Sequence, residues 1–297
     1  MRIGAWWDRL RGAESRRLRA RIADLRTANA ALRETQPEKS DQPVYSALVP
    51  HADNALGLFA GSWSSRLPHR DGPGQAELFA DPRIEWLFEQ CGSLNGSHVL
   101  ELGPLEGGHT YMLEQRGAVV TAIEGNHEAF LRSVVVKNAL GLRATFLLGD
   151  FARSFGAEMR WDLVVASGVL YHMSDPIGLL TRIAASTDRL YLWTHYYEPD
   201  VHVWHPETAT RIGTKWVVDE TIVERVGDLD VRMVPMLYQE ALGWAGFCGG
   251  PETFARWIHK NDLINLLRVL GFDNVTVAFD EPGHVNGPSF AVFASRR

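Results

Sequence analysis

The sequence predicts an α/β protein with a mostly parallel, doubly wound sheet between two layers of helices. From Asp81 onward, short apolar segments typical of strands alternate with amphipathic helices, and parallel strands need such helical crossovers. The last two strands, Val275–Phe279 and Phe290–Ala294, follow each other without a helix, which predicts an antiparallel final pair. Sheets of this kind bind ligands beyond the carboxyl ends of their strands.

The composition is that of a globular protein with a sizeable core. Of the 297 residues, 45% are hydrophobic and 22% are charged, and no apolar run approaches the roughly 18 residues that span a bilayer. The N-terminus has no secretory-type apolar stretch. Only Cys91 and Cys248 are present, which excludes a disulfide scaffold and a four-cysteine zinc site. We therefore expect a cytoplasmic protein.

Residues 1–36 are predicted to form an amphipathic helix that stands apart. An apolar seam with the heptad spacing of a coiled coil is formed by Leu18, Ile22, Leu25, Asn29 and Leu32. Homo-oligomerisation through this seam is one interpretation, and a single helix packed on its own body is another. A third is weak attachment to an anionic surface through Trp6, Trp7 and the arginines. Residues 37–80 are predicted as a linker followed by an ordered loop.

Charge is distributed unevenly. The formal net charge is −6, but residues 1–34 hold nine arginines and four acids, a net +5, which leaves −11 for the rest. An acidic body is poorly suited to gripping a phosphate backbone. A nucleic-acid partner is therefore not expected, although the basic first helix leaves a separate RNA contact open.

The domain predicted for residues 81–297 begins at a helix signal, Asp81 followed by proline. Asn126 is expected to cap a helix that runs to Leu140, with Gly141 just beyond it. Asp175 and a following proline open another helix, and one more is expected to carry Trp257 and His259. The remaining predicted elements are strands His98–Leu102, Ala118–Ile123, Thr145–Leu148, Asp162–Ala166 and Arg189–Trp193, and helices Gly108–Arg116 and Asp262–Leu270.

A glycine-containing turn follows the first predicted strand. Gly103 allows a tight turn beside a ligand, and Gly107 precedes a helix N-terminus with free N–H groups. Glu124 ends the next strand, where a carboxylate can accept hydrogen bonds from ribose hydroxyls. Asp150 ends the third strand and could accept from an adenine amino group while Phe151 covers the ring.

These motifs carry a family resemblance. VLELGPLEGGH (99–109), AIEGN (122–126), LGDF (148–151) and GVLYH (168–172) together resemble class I S-adenosylmethionine-dependent methyltransferases. The resemblance covers roughly residues 81–194 and 251–297, and it implies a seven-stranded sheet with an antiparallel last pair. The GVLYH stretch also resembles enzymes that carboxymethylate wobble uridine in tRNA. A nicotinamide-dependent enzyme is the competing interpretation of the glycine turn.

The resemblance implies S-adenosylmethionine as cofactor. Glu101 and Gly103 would lie near its methionine portion, Glu124 would hold the ribose, and Asp150 with Phe151 would frame the adenine. The complete set of expected cofactor residues is Glu101, Gly103, Pro104, Gly107, Glu124, Gly125, Asn126, Asp150, Phe151, Ser167 and Gly168. The segment Pro104–Glu106 departs from the small residues or Cys of many relatives, which leaves the contacts of Glu106 open.

Two histidines are candidate catalytic bases. His172 and His195 each follow the carboxyl end of a strand, and a hydroxyl acceptor gains from a base that takes its proton. Residues 195–250 form an insertion rich in aromatic residues and histidines, which is typical of a substrate lid. The expected substrate residues are Tyr171, Tyr196, Trp204 and His205. No metal site is assigned, although His195, His202 and His205 raise that hypothesis.

The leading functional prediction is methyl transfer to a small molecule, with a hydroxyl oxygen of a glycan or secondary metabolite as acceptor. A tRNA-modifying methyl- or carboxymethyltransferase is the first alternative, because of the GVLYH stretch. A non-catalytic cofactor-binding scaffold that recruits a partner through the first helix is the second. The sequence leaves nitrogen and carbon acceptors open.

Overall fold

The computed structural model describes residues 45–68, 74–153, 159–213, 221–238, 242 and 248–297. Contacts divide the chain into two units, Met1–Pro50 and His51–Arg297. The predicted helix over residues 1–36, with its coiled-coil seam and the oligomer it would support, lies outside the described residues. No helix in the described ranges is long and apolar enough to cross a membrane.

The described part of the chain contains ten strands and six α-helices. The strands are β1 (His98–Leu102), β2 (Val119–Glu124), β3 (Thr145–Leu148), β4 (Leu163–Ser167), β5 (Arg189–His195), β6 (Ile222–Val226), β7 (Leu229–Leu237), β8 (Phe254–Ile258), β9 (Asn274–Glu281) and β10 (Ser289–Ser295). The helices are α1 (Pro82–Cys91), α2 (Gly108–Gln115), α3 (His127–Leu140), α4 (Pro176–Ser186), α5 (Pro206–Gly213) and α6 (Lys260–Val269).

Local sequence signals explain where the helices begin and end. The Asp81 side chain accepts from the Arg83 amide at 2.9 Å, ahead of the proline that starts α1. The Asn126 side chain accepts from the Ala129 amide at 3.0 Å at the start of α3. Gly141 ends α3 with φ 68°, the left-handed conformation that favours glycine. These three predictions are confirmed.

Seven strands form the main sheet in the order β3-β2-β1-β4-β5-β10-β9. Strands β1 to β5 run parallel, and β10 pairs antiparallel with both β5 and β9. This confirms the predicted fold class, including the antiparallel last pair. Because β1 lies between β2 and β4, the carboxyl ends of β3, β2, β1 and β4 form one continuous edge.

Each face of the sheet packs against its own apolar core. In β5, Leu190 and Leu192 belong to the core shared with α4 and α6, whereas Tyr191 belongs to the core shared with α1 and α2. The alternation follows the period of two in a strand. The alternation continues past the end of β5, so that Tyr196 belongs to the core shared with α4 and α6.

A second, three-stranded antiparallel sheet, β6-β7-β8, follows β5 in the chain. The expected helix around Trp257 and His259 is wrong at these positions: Trp257 lies in β8, and His259 is the N-cap of α6. A short apolar run fits either a strand or a helix, and pairing with β7 decides for the strand here. Asp262 of α6 fixes this sheet by accepting three hydrogen bonds from Arg232.

The segment before α1 packs onto the turn after β1 through one buried acid. Glu106 is fully buried, and its carboxylate accepts from the Ser64 amide at 2.9 Å and from the Ser65 amide at 2.8 Å. Arg132 of α3 lies 3.1 Å from the same carboxylate. Around this contact, one apolar cluster joins the segment to α3; its buried members are Trp63, Leu67, Phe79, Val136 and Leu142.

Candidate active site

The turn after β1 has the backbone expected of a ligand-binding turn. Gly103 has φ 64°, and a Cβ atom there would lie 2.9 Å from Cγ2 of Val169, which follows β4. Leu105 also adopts a positive φ, 53°, which a residue with a side chain rarely does. Gly107, with φ 78°, then begins α2. Strained backbone of this kind is concentrated at functional sites.

Glu124 holds this turn against β2. Its Oε2 accepts from the Leu105 amide at 3.0 Å, and its Oε1 accepts from the Asn126 amide at 2.8 Å. Burial raises the pKa of Glu124, and the backbone amides oppose that rise. A carboxylate offers about four lone-pair sites, so both oxygens retain capacity for a further donor such as a ribose hydroxyl.

Glu101 is a second buried acid at this edge. Its side chain is 2% exposed and accepts a hydrogen bond from the Thr110 hydroxyl of α2. Burial raises the pKa of Glu101 to about 6. This acid is therefore held between β1 and α2 by its bond to Thr110.

The other expected cofactor residues surround the same edge. Asp150 is exposed, and its Oδ1 accepts from the Ala152 amide at 2.8 Å. The Gly149 amide donates to the Glu124 carbonyl at 2.9 Å, which ties the end of β3 to that of β2. Pro104 and Gly107 are buried in the turn, Gly125 is exposed, Asn126 caps α3, and Phe151, Ser167 and Gly168 are half-buried.

At the carboxyl ends of β4 and β5, six rings gather in what we call the aromatic cluster: Tyr171, His172, Trp193, His195, Trp257 and His284. The Tyr171 ring lies 4.1 Å from that of His172 and 4.5 Å from that of His195, centroid to centroid. Burial raises the pKa of Tyr171, so this phenol stays protonated at neutral pH. The structure thus brings both candidate bases and Tyr171 together.

The tautomer of His195 is set by its surroundings. Its ring is 5% exposed, and its Nδ1 lies 2.8 Å from the Gly287 carbonyl and 3.3 Å from that of Pro288. Because a carbonyl only accepts, Nδ1 carries the proton and Nε2 holds a lone pair. Burial, with His284 nearby, lowers the pKa of His195 to about 3, so the ring is neutral at pH 7.

His172 faces a different partner. Its Nδ1 lies 3.0 Å from the Tyr238 hydroxyl, which can donate or accept. Burial lowers the pKa of His172 to about 4. The neighbouring hydroxyl therefore leaves the tautomer of this ring open, in contrast to the carbonyls beside His195.

Three expected substrate residues lie outside the aromatic cluster. Tyr196 is fully buried in the core on the opposite face of the sheet, and its hydroxyl donates to Asp280 at 2.8 Å. Trp204 is 5% exposed, donates to the Glu198 carbonyl, and belongs to the same buried apolar cluster as Trp257. His205 is half-buried, and its enclosed Nδ1 has no hydrogen-bond partner among the described residues. For Tyr196, strand alternation is the reason, since neighbouring residues face opposite sides.

Within the described residues, no group of three or more His, Cys, Asp or Glu side chains is arranged to hold a metal ion. His202 is exposed, whereas His195 commits Nδ1 to backbone carbonyls. The structure therefore gives the histidine metal hypothesis no support.

A charged group borders the aromatic cluster. The Arg83 guanidinium lies 4.3 Å from the centroid of Trp193 and forms an ion pair with Asp81 at 2.6 Å. His109 shares that carboxylate at 2.9 Å. Burial alone would raise the pKa of Asp81, but its bonds to His109 and Arg83 hold it well below the usual value.

Sequence reasoning assigned no site role to three of the six rings of the aromatic cluster, Trp193, Trp257 and His284. Trp193 belongs to the same strand face as His195, which alternation along β5 could have shown. Trp257, Gly287 and His284 reach the site from β8 and from the loop between β9 and β10. Their sequence separation from His195 left no local signal.

The chain is similar in sequence to one curated methyltransferase and in fold to a solved SAH-bound domain. No family model matches the sequence. The ribosomal RNA small subunit methyltransferase A of Bartonella tribocorum is 29% identical over 147 residues, which are 48% of this chain. The chain therefore spans about half, 51%, of the length of this curated relative.

Two solved structures show the fold. The N-terminal domain of EvdMO1, in the presence of SAH and D-fucose, has a TM-score of 0.58 at 22% identity, covering 82% of this chain and 94% of that one. The same domain with SAH bound has a TM-score of 0.57 at 21% identity, with the same coverage. The chain has the fold of class I S-adenosylmethionine-dependent methyltransferases, which confirms the resemblance seen in its motifs.

Proposed function

We propose that this protein is a methyltransferase that uses S-adenosylmethionine and methylates a hydroxyl oxygen of a small molecule, with a sugar as the leading acceptor class. Glu124 would hold the ribose, Asp150 and Phe151 would frame the adenine, and the turn at Gly103 would accommodate the methionine portion. When bound, S-adenosylmethionine would supply an electrophilic methyl group to the hydroxyl oxygen, with S-adenosylhomocysteine as the leaving group.

The observation that carries the proposal is the state of His195. Its Nδ1 is committed to the Gly287 carbonyl, so its Nε2 lone pair is available to take the acceptor's hydroxyl proton. A positioned base contributes about 10²–10⁴-fold to a rate when its pKa lies near the working pH. Because burial lowers the pKa of His195 to about 3, its Nε2 would accept a hydrogen bond from the hydroxyl and take the proton only as the oxygen attacks the methyl group. The rings of Trp193 and Tyr171 beside it suit the apolar face of a sugar. The similar EvdMO1 domain was crystallised in the presence of D-fucose, which supports the acceptor class.

The first experiment separates the cofactor classes. Calorimetry with S-adenosylhomocysteine is expected to give a binding signal, and NAD and NADP are expected to give none. Methyl transfer from radiolabelled S-adenosylmethionine is then measured with D-fucose, L-rhamnose, D-glucose and their nucleotide-linked forms. Binding of NAD without binding of S-adenosylhomocysteine would contradict the proposal.

His195→Gln is expected to lower kcat by about 10²-fold or more, because an amide cannot accept the hydroxyl proton. The affinity for S-adenosylhomocysteine should stay within about twofold, since the ribose and adenine residues are untouched. Steady-state kinetics and calorimetry give the two values. A kcat close to that of the wild type would exclude His195 as the base.

RNA is a second candidate acceptor, because the matched curated relative is a ribosomal RNA methyltransferase. Counting against it, the chain after residue 34 carries a net charge of −11. Binding of tRNA that weakens steeply with salt, with a slope reduced by neutralising Arg16, Arg17, Arg19 and Arg21, would favour RNA over a sugar.

A further inference from the structure

The loop between β9 and β10, residues 282–288, is built closely around His195. The Gly287 carbonyl accepts the Nδ1 proton of His195 at 2.8 Å. Gly287 itself has φ 120°, a conformation that residues with a side chain rarely adopt. A Cβ atom at this position would lie 2.6 Å from Cη2 and 2.9 Å from Cζ3 of Trp257. Only glycine therefore fits both the conformation and the space.

Trp257 closes the other side of the His195 ring. The two rings are nearly parallel, with an angle of 10° between their planes and 5.2 Å between centroids. The indole is itself fixed, because its Nε1 donates to the Tyr171 carbonyl at 3.1 Å. Trp257 is 5% exposed and belongs to the buried cluster of the small sheet. One tryptophan thus contacts the loop and His195 and reaches the segment that carries Tyr171.

The other ring nitrogen of His195 stays open. Nε2 has no hydrogen-bond partner among the described residues, and it is not one of the polar atoms they enclose completely. The loop is also held at a second point, where the Thr208 hydroxyl of α5 donates to the Val285 carbonyl. The loop whose Gly287 carbonyl orients His195 is therefore fixed at two points, by His195 itself and by Thr208 of α5.

We propose that Gly287 and Trp257 are positioning residues, which hold His195 as the Nδ1-protonated tautomer with Nε2 free to receive a proton from the acceptor. The proposal rests on the proposed function in assigning a use to that lone pair. Neither residue touches the reacting atoms; both act through the imidazole.

The test compares Gly287→Ala with Gly283→Ala in the same loop. Gly283 has no positive φ, and a Cβ there would make an ordinary 3.6 Å contact with the Val203 carbonyl. Nitrogen-15 NMR of the histidine rings at pH 7 reports the tautomer without cofactor or acceptor, with the His195 signals assigned by their loss in His195→Gln. We expect the Nδ1–H tautomer in the wild type and Gly283→Ala, and a mixture of both tautomers in Gly287→Ala.

Kinetics supply the second measurement, with the acceptor that the sugar panel identifies. Gly287→Ala is expected to lower kcat roughly tenfold or more, with KM and the affinity for S-adenosylhomocysteine within about twofold. Trp257→Leu needs no change of backbone conformation; it should give a mixture of both tautomers in the same NMR measurement and lower kcat in the same way. Trp257→Phe should restore part of both.

An unchanged tautomer in both Gly287→Ala and Trp257→Leu would overturn the positioning role. A changed tautomer in a protein that methylates no sugar would support the positioning geometry and contradict the proposed function instead, so the two failures are distinguishable.

Discussion

At Gly103, two separate constraints act on one residue. Its φ of 64° disfavours any side chain, and a Cβ atom would lie 2.9 Å from Val169. Val169 precedes Tyr171 and His172, so a side chain at Gly103 would push the strand-end segment that carries both rings. The turn and the segment that leads to the aromatic cluster therefore meet at this glycine. Glycine is needed here both for the turn conformation and for the close approach of Val169.

Gly103→Ala is expected to abolish or strongly weaken binding of S-adenosylhomocysteine, because the added atom displaces Val169. Gly141→Ala is the matched control: Gly141 has φ 68°, and a Cβ atom there would meet no other atom within 4 Å. Both variants should lose roughly 1 kcal/mol of unfolding free energy from the left-handed backbone, and Gly103→Ala should lose more because its Cβ atom displaces Val169. Calorimetry should then separate them. Equal affinity in the two variants would contradict a ligand beside Gly103.

At the scale of elements, Glu106 joins three parts of the chain. It lies in the turn after β1, accepts from the backbone of residues 64 and 65, and pairs with Arg132 of α3. These bonds anchor the segment before α1 to the turn after β1 and to α3.

Glu106→Gln is expected to destabilise the protein by about 3–5 kcal/mol, because it leaves the buried Arg132 without its close partner. Glu128→Gln is the control, since Glu128 lies 3.7 Å from the same arginine but is 72% exposed. Its effect should be within about 0.5 kcal/mol. Urea unfolding measures both, and hydrogen exchange should show faster exchange of the Ser64 and Ser65 amides only in Glu106→Gln. Similar losses in both variants would refute this anchoring role.

At the scale of the whole molecule, buried ionisable groups link stability to pH. Burial lowers the pKa of His172 to about 4 and that of His195 to about 3. In the unfolded chain both rings take up a proton near a pH of about 6.5. The unfolded state therefore binds more protons between about pH 6.5 and 4, and stability falls as the pH is lowered through that range.

We expect each of these histidines to remove up to about 1.4 kcal/mol of stability per pH unit in that window. Glu101 acts in the opposite direction, because its folded pKa of about 6 exceeds the ordinary value of 4.5, so the folded state takes up that proton first. Urea unfolding at pH 7, 6 and 5 should show a net loss, and Glu101→Gln should steepen it. A free energy of unfolding that does not change between pH 7 and 5 would rule out neutral buried histidines.

Local sequence patterns determined the sheet strands, the helix caps and the sheet edge at which we propose that the cofactor binds. Asp81, Asn126 and Gly141 act within a few residues of their own positions, and Glu101, Gly103 and Glu124 follow from strand ends. Such signals need only the period of the backbone and the capping preferences of single residues. For the same reason, the order of motifs along the chain was enough to indicate the class of fold.

The tertiary structure alone decided which residues surround His195. Trp257 and Gly287 come from distant segments of the chain, and their contacts depend on how β8 pairs with β7 and β10 with β5. The tertiary structure also shows that Tyr196 lies in the core and not among the substrate residues, since the alternation of β5 places it on the opposite face from His195. Long-range pairing has no local sequence signature, because any apolar strand can pair with several others, and only the packed whole selects one.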